Sequence, residues 1–272
     1  MKARLRPLLA PVVRLLVLLL LAVLALQLYF VARIALMAVL APESTTFERS
    51  EIYRVTRTSG SLKWRQQWVP AAQISINLKR AVIASEDASF TEHDGLDLEA
   101  LEKAWEKNAV AEARAKKAAD RLAAQAARQG KKTSAAAPAP QNAAKAVKPA
   151  KIIGGSTITQ QLAKNLFLSG ERTLLRKGEE LVLTLLLESM LSKQRILEIY
   201  LNSVEWGEGV FGAEAASQHY FRKPASRLSP YEAARLAVML PRPRYFETRP
   251  NSDYLATRAN VIVARMGGVD VP

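Results

Sequence analysis

The stretch GGSTITQQLAKNLFLSGERTLLRKGEELVLTLLLESMLSKQRILEIYLN, residues 154–202, reads as a dense series of helices. Two glycines leave the backbone open in front of Ser156, which can cap a first helix running through ITQQLAKNLFL. From Arg176 to about Asn202, apolar positions recur at Leu181, Leu185, Met190, Ile196 and Ile199, predicting two helices that meet near Ser192. Downstream, Pro230–Leu240 and Asp253–Met266 supply two more. Strand signals are nearly absent, so the expected fold class is mainly α.

Upstream the pattern is looser. Leu78, Val82 and Ile83 share one face of an amphipathic helix that starts at Ala72 and ends near Glu86. Residues 43–75 mix Thr, Ser, Trp and Val, with weak strand signals at Glu51–Val55 and Lys63–Val69. Leu98 to about Arg128 is alanine-rich and favours helix, with Leu98, Leu101 and Trp105 on one side. Beyond Trp105 its apolar stripe disappears, so that helix is expected to protrude or fray. Gln129–Lys151 is an Ala/Pro/Lys linker, expected to be disordered. Residues 109–151 are therefore read as a low-complexity insertion within a domain spanning 42–272, preceded by an anchor at 1–41.

Composition narrows the function. The chain has no cysteine and two histidines, His93 and His219, which excludes thiolate chemistry and disfavours zinc. Leu15–Ala32 carries no charge and is long enough to cross a bilayer as a helix. Lys2, Arg4, Arg6 and Arg14 precede it, placing the N-terminus in the cytoplasm. A cleaved signal peptide is the alternative, but the apolar run is long and Arg33 interrupts it before any cleavage site. Ile34–Ala41 is expected to lie in the membrane interface. The net charge of +14 sits largely in two places. Residues 1–41 contribute +5, and residues 109–151 contribute +8 from ten basic and two acidic side chains. The remainder is nearly neutral, which fits anionic lipid and argues against a nucleic-acid groove.

Three groups could carry chemistry. In SEDASFTEHDGLD, residues 85–97, Glu86 falls at a helix end, where the macrodipole and partial burial would raise its pKa toward that of a general base. A solvated acidic turn is the plainer reading, and EF-hand ligand spacing is missing. GGST at 154–157 offers helix N-terminal amides, followed by Gln160 and Lys164 one turn apart. Arg172, Arg176, Lys177 and Glu180 then place cations beside a carboxylate. They could bind phosphate directly, or through a divalent cation held by Glu180. Each group alone could be surface decoration. Together, beyond a membrane anchor, they suit sugar transfer from a membrane-bound diphospholipid, whose anionic leaving group needs positive charge and whose acceptor hydroxyl needs a base.

These residues resemble the peptidoglycan glycosyltransferases of bacterial cell-wall synthesis, also found as the N-terminal module of class A penicillin-binding proteins. EDASFTEHDG, GGSTITQQLAKNLF, RKGEE, KQRILEIYLNSVEWGEGVFGAEAASQHYF and EAARLAVMLPRP resemble that family's five motifs, in order. The chain stops soon afterwards, so the expectation is a monofunctional member without a transpeptidase domain. The resemblance implies a mainly helical, lysozyme-like domain with a membrane-embedded hydrophobic part. It implies Glu86 as the base deprotonating the 4-hydroxyl of the acceptor N-acetylglucosamine. Glu180 becomes the second essential carboxylate, organising the diphosphate with or without a divalent cation (Mg2+ or Mn2+). Lys164, Arg172, Arg176 and Lys177 become diphosphate-binding positions. Asp87, Phe90, His93, Ser156, Thr157, Gln160 and Gln161 become cleft residues. Asn202 and Glu205 match the fourth motif, where packing and sugar contact are both open.

The implied activity is polymerisation of lipid II into glycan strands with inversion, releasing undecaprenyl diphosphate, on the periplasmic face of the inner membrane. The implied partners are lipid II, the growing glycan strand and the membrane, with other cell-wall synthases or division proteins beside them. No organic cofactor or nucleic acid is expected. The long segment between the first and second motifs departs from the family pattern. Two rivals stand: a lytic, lysozyme-like enzyme using one protonated glutamate, and a non-enzymatic tether acting through the basic arm.

Overall fold

The computed structural model describes residues 6–60, 63–130, 155–168 and 173–272. Contacts divide the chain into two compact units, Met1–Leu96 with Thr157–Pro272, and Asp97–Ser156.

The first unit begins with α1, Arg6–Met37, whose segment Ala10–Met37 has a mean hydropathy of 2.8 and is long and apolar enough to cross a membrane. The helix runs on through Arg33 and ends within Ile34–Ala41, the segment expected in the membrane interface. Phe30, Ile34 and Met37 are buried in the hydrophobic core of the unit. Burial of these three large apolar side chains holds the end of α1 to the core.

Thr46–Ser59 forms α2, so the strand expected at Glu51–Val55 is corrected to helix. Its start is set by a reciprocal capping box: Thr45 Oγ accepts from Glu48 N at 3.0 Å, and Glu48 Oε2 accepts from Thr45 N at 2.7 Å. The strand expected over Lys63–Val69 shrinks to β1, Arg65–Gln66. A short turn of 3₁₀ helix, Ala71–Gln73, precedes α3, Ile76–Glu86, which therefore starts later than Ala72 but ends where expected.

After the second unit the chain continues as α5, Ile158–Phe167; α6, Leu174–Met190; and α7, Lys193–Ser203. Ser192 caps α7 and marks the expected junction. Ile196 and Ile199 are buried, but on α6 the core takes Leu183 and Leu187 and leaves Leu181, Val182 and Leu185 exposed. Then follow β2, Glu205–Gly207; β3, Val210–Phe211; α8, Ala213–Phe221; α9, Pro230–Met239; α10, Pro243–Glu247; and α11, Asp253–Arg265. The strand order is β1-β3-β2, β1 pairing parallel and β2 antiparallel with β3. Gly209 makes the β2–β3 turn at φ +70°, where a Cβ would lie 1.9 Å from Lys63 O; only glycine fits. Helix α3 packs with α9 and α11, and α5 packs against α2, α6 and α7.

Asn202, near the end of α7, is wholly buried and clamps a backbone segment. Its Oδ1 accepts from Val69 N at 3.0 Å, and its Nδ2 donates to Val69 O at 3.0 Å and Glu198 O at 2.9 Å. Of the two roles left open for it, packing is the one these contacts serve. Truncation would strand a buried N–H and C=O, so Asn202→Ala is expected to destabilise the protein by about 2–4 kcal/mol. A denaturant midpoint equal to wild type in the same detergent would contradict this.

In the second unit α4 spans Leu98–Gly130, close to expectation. Asp97 Oδ1 accepts from Ala100 N at 2.7 Å and starts it. Leu98, Leu101 and Trp105 are exposed. The expected insertion boundaries at 109 and 151 lie inside this unit, and the linker from 131 onward lies outside the described residues.

Candidate active site

Glu86 is the last residue of α3, half-buried. Its Oε2 accepts from Gln161 Nε2 at 3.1 Å, and Gln161 Oε1 in turn accepts from the Tyr200 hydroxyl at 3.0 Å. Because Tyr200 must donate here, the amide is held with its NH2 toward the carboxylate. Burial raises the Glu86 pKa above the ordinary carboxylate range; the Gln161 and Ser85 hydrogen bonds and the Arg258 guanidinium oppose this, and Asp87 adds to it. Tyr200 is itself buried, which lifts its phenol pKa well above the usual value and keeps it a donor.

One turn further along α5, Lys164 faces α6. Its ammonium is held below the usual lysine range, first by desolvation and then by Arg176 and Lys177, while Glu180 acts in the opposite sense. Glu180 is only 3% exposed. Its Oε2 accepts from Arg176 Nη1 at 3.0 Å, and its Oε1 accepts from Lys177 Nζ. Arg176 Nε is buried without a hydrogen-bond partner among the described residues. Three residues of helix advance about 4.5 Å along the axis, so α5 sets the carboxylate contact of Gln161 and the cationic cluster at Lys164 side by side. Arg172, expected in this cluster, lies outside the described residues.

The neighbours of Glu86 in the first motif hold structure around it. Asp87 Oδ2 accepts from Ile158 N at 2.9 Å, joining the end of α3 to the start of α5. Asp87 Oδ1 pairs with His93 Nε2 at 2.9 Å, and His93 Nδ1 accepts from Gly95 N at 3.1 Å, leaving Nε2 to donate. Phe90 is fully buried, with the Lys193 ammonium 4.6 Å from its ring centre. Lys193 also donates to His93 O and to Glu188 Oε1 at 2.8 Å. Gly95 packs so tightly on α6 that a Cβ would come within 2.7 Å of Thr184 Cγ2, and its φ is +85°.

The cap of α5 is Thr157, not Ser156. Thr157 Oγ1 accepts from Gln160 N at 3.2 Å and donates to Gly95 O at 2.7 Å, while Gln160 Oε1 accepts from Thr157 N at 3.0 Å. Gln160 is thus turned back on its own helix, and Gln161 is the amide that reaches Glu86. Ser156 is exposed and belongs to the second unit.

Glu205 lies in a different network. Arg244 Nε donates to its Oε1 at 2.7 Å and Nη2 to its Oε2 at 3.0 Å, and the same guanidinium meets Glu51. Arg244 thereby ties α10 to α2 and β2, and Glu51 accepts in addition from Arg54 Nε of its own helix at 2.7 Å. Burial raises the Glu205 pKa and Arg244 opposes this. Sequence reasoning missed Tyr200, Arg244 and Arg258. Tyr200 sits in the fourth motif, and its available signal was a tyrosine on the same helical face as Ile196 and Leu197; neither arginine carries a local signal.

One helix, α5, thus places Gln161 against a half-buried carboxylate and Lys164 beside a cation cluster. The transglycosylase family model matches residues 53–141 and 135–267, and the chain belongs to that family of enzymes, whose domain is mainly helical and lysozyme-like. Over 249 residues, 92% of the chain, it is 49% identical to the "Biosynthetic peptidoglycan transglycosylase" of Burkholderia thailandensis, covering 83% of that protein. Proteins with the same description from Burkholderia orbicola and Burkholderia pseudomallei are 48% and 47% identical over 249 residues, covering 86% and 83% of their lengths.

Proposed function

We propose that this enzyme is a peptidoglycan transglycosylase that polymerises lipid II, with the growing glycan strand as donor and incoming lipid II as acceptor. The observation that carries the proposal is the placement, along one face of α5, of the Gln161–Glu86 contact beside the Lys164–Arg176–Lys177–Glu180 cluster. Glu86 takes the proton of the acceptor 4-hydroxyl as that oxygen bonds to the donor's anomeric carbon. The bond from that carbon to the diphosphate oxygen breaks, its electron pair leaves with undecaprenyl diphosphate, and the configuration inverts. Lys164, Arg176 and Lys177, with Arg172 assigned from the sequence, receive the developing charge, and Glu180 holds the cations in place. Asp87, Phe90, His93, Thr157 and Gln160 position the two catalytic regions; Ser156 keeps its assignment to the substrate cleft, whereas Asn202 clamps Val69 and Glu205 pairs with Arg244.

A resident divalent cation fits this donor set poorly. Of the four clustered side chains only Glu180 offers a carboxylate, and both its oxygens already accept from cations. Mg2+ or Mn2+ would have to be held here mainly by the diphosphate's own oxygens.

Helix α1 is assigned as a single-pass anchor with a cytoplasmic N-terminus and a periplasmic enzyme domain. The exposed Leu175, Leu181, Val182 and Leu185 of α6, which packs beside α1, support apposition to the bilayer. We assign 42–272 to the enzyme domain, carrying the basic insertion, and place cell-wall synthases or division proteins among its neighbours.

The test is incubation of the full chain in detergent with fluorescent lipid II, with and without chelator, beside purified sacculi. Glycan polymer without released muropeptides is the expected result; solubilised muropeptides would replace this reading with the lytic one. A finer prediction concerns Tyr200→Phe. Without its hydroxyl the Gln161 amide can rotate, the hydrogen bond that lowers the Glu86 pKa weakens, and the acidic limb of the rate profile moves to higher pH. The rate near neutral pH should fall about 3–10-fold, the equivalent of one hydrogen bond. An unshifted limb would remove Tyr200 from this role.

A further inference from the structure

Where α1 ends and α2 begins, a cavity of about 340 Å³ opens between the two helices, lined by Arg33, Leu36, Leu40, Ser44 and Arg49 among others. Arg33 is the sole charged side chain from Leu15 to Met37. A guanidinium at the edge of such an apolar run is costly unless it meets water or an anion. It is held rather than free to swing. Its Nη1 donates to the Tyr29 hydroxyl at 3.0 Å, and it lies 5.8 Å and 5.9 Å from the ring centres of Tyr29 and Phe167. Across the cavity, Arg49 donates through Nη1 to Ser44 O at 3.1 Å and Ser44 Oγ at 3.0 Å, and through Nη2 to Thr46 Oγ1 at 3.0 Å. Neither arginine forms an ion pair among the described residues, and the rim's one carboxylate, Glu43, is exposed. The floor is fixed: Arg195 donates Nε to Met37 O and Nη2 to Leu40 O, both at 2.7 Å. Immediately beside the two cations, Leu36, Val39 and Leu40 present exposed aliphatic surface.

We infer that this cavity is a binding site for the headgroup of an anionic phospholipid, its phosphate between Arg33 and Arg49 and its acyl chains along Leu36 and Leu40. The inference rests on the assignment of α1 as a membrane anchor. Two cations alone would take any phosphate; the contiguous aliphatic wall, at the end of the membrane-length apolar segment, selects one that carries acyl chains. The site shares no residue with the Lys164 cluster, so it binds lipid without drawing on the transfer machinery.

The test uses the full chain in neutral detergent, with phosphatidylglycerol or phosphatidylethanolamine added, and counts retained lipid by native mass spectrometry. Phosphatidylglycerol is expected to be retained roughly tenfold over phosphatidylethanolamine, reflecting two basic contacts. The Arg33→Gln/Arg49→Gln double variant should abolish that preference while polymerising lipid II in detergent at the wild-type rate. Arg49→Glu, at an exposed position, should also abolish it and keeps the test available if the double variant misfolds. Equal retention of both lipids, an unaltered preference in the variants, or displacement by millimolar inorganic phosphate or by polyprenyl diphosphate would overturn the assignment. Alkaline washing of phosphatidylcholine vesicles reports separately on anchoring: release of the wild-type chain would remove the anchor, whereas retention with no lipid preference would remove only the headgroup site.

Discussion

Glu86→Gln is expected to lower the rate of lipid II polymerisation by about 10²–10⁴-fold, the usual contribution of a general base. The substitution keeps the shape of the side chain and an oxygen able to accept from Gln161 Nε2, so substrate binding should change little. The loss should appear in kcat with KM nearly constant, which separates a missing base from a damaged cleft. Stability provides the control. Burial raises the folded-state pKa of Glu86 above its unfolded value, so its favourable contribution is present at low pH and is lost as pH rises through the raised pKa. At neutral pH the ionised carboxylate is a burden on the fold, and the neutral amide should melt no lower than wild type. For the wild-type enzyme the same shift places the acidic limb of the rate profile above the ordinary carboxylate range. Below that limb the base is protonated and the rate falls tenfold per pH unit. A Glu86→Gln enzyme within threefold of the wild-type rate would remove Glu86 from the mechanism.

The second large effect is expected at Glu180. Glu180→Gln removes the carboxylate that joins Arg176 and Lys177, and a neighbour that raises the Lys164 pKa. Three cations then repel one another with no counter-charge paired to them among the described residues. We expect a loss of about 10²–10³-fold in kcat/KM, comparable to removing one element of an electrostatic transition-state site. The fold should lose about 1–3 kcal/mol, less than for a wholly buried ion pair because Lys177 is largely exposed. A pH signature distinguishes this from simple unfolding: with Glu180 absent, the Lys164 ammonium gives up its proton more easily and the alkaline limb moves to lower pH. An unchanged limb beside a normal kcat/KM would show that Glu180 does not organise the cluster.

The elements expected from strong helical periodicity appear where expected because their apolar stripes are local facts: α3 ends at Glu86, α6 and α7 meet at Ser192, and α9 and α11 fall on their spans. Thr46–Ser59 escaped because its Thr, Ile, Tyr and Val side chains favour strand when read one at a time. Its Thr45–Glu48 capping box was nonetheless present. The same signal, Thr157 with Gln160, would have moved the cap of α5 by one residue.

Residue types and order alone determined the mainly helical class, the apolar N-terminal helix and the identities of the carboxylates and cations. Which residues meet was decided only by the tertiary structure. Helix α6 is apolar on more than one side, so periodicity could not say that Leu183 and Leu187 would be buried and Leu181 and Leu185 exposed. Glu86 and Glu180 lie on separate helices, and nothing local specifies that Gln161 of α5 bonds the first while Lys164 lies within the electrostatic reach of the second. That pairing follows from packing α5 against α6 and α7, where closing the core orients one polar edge of α5 toward both acids.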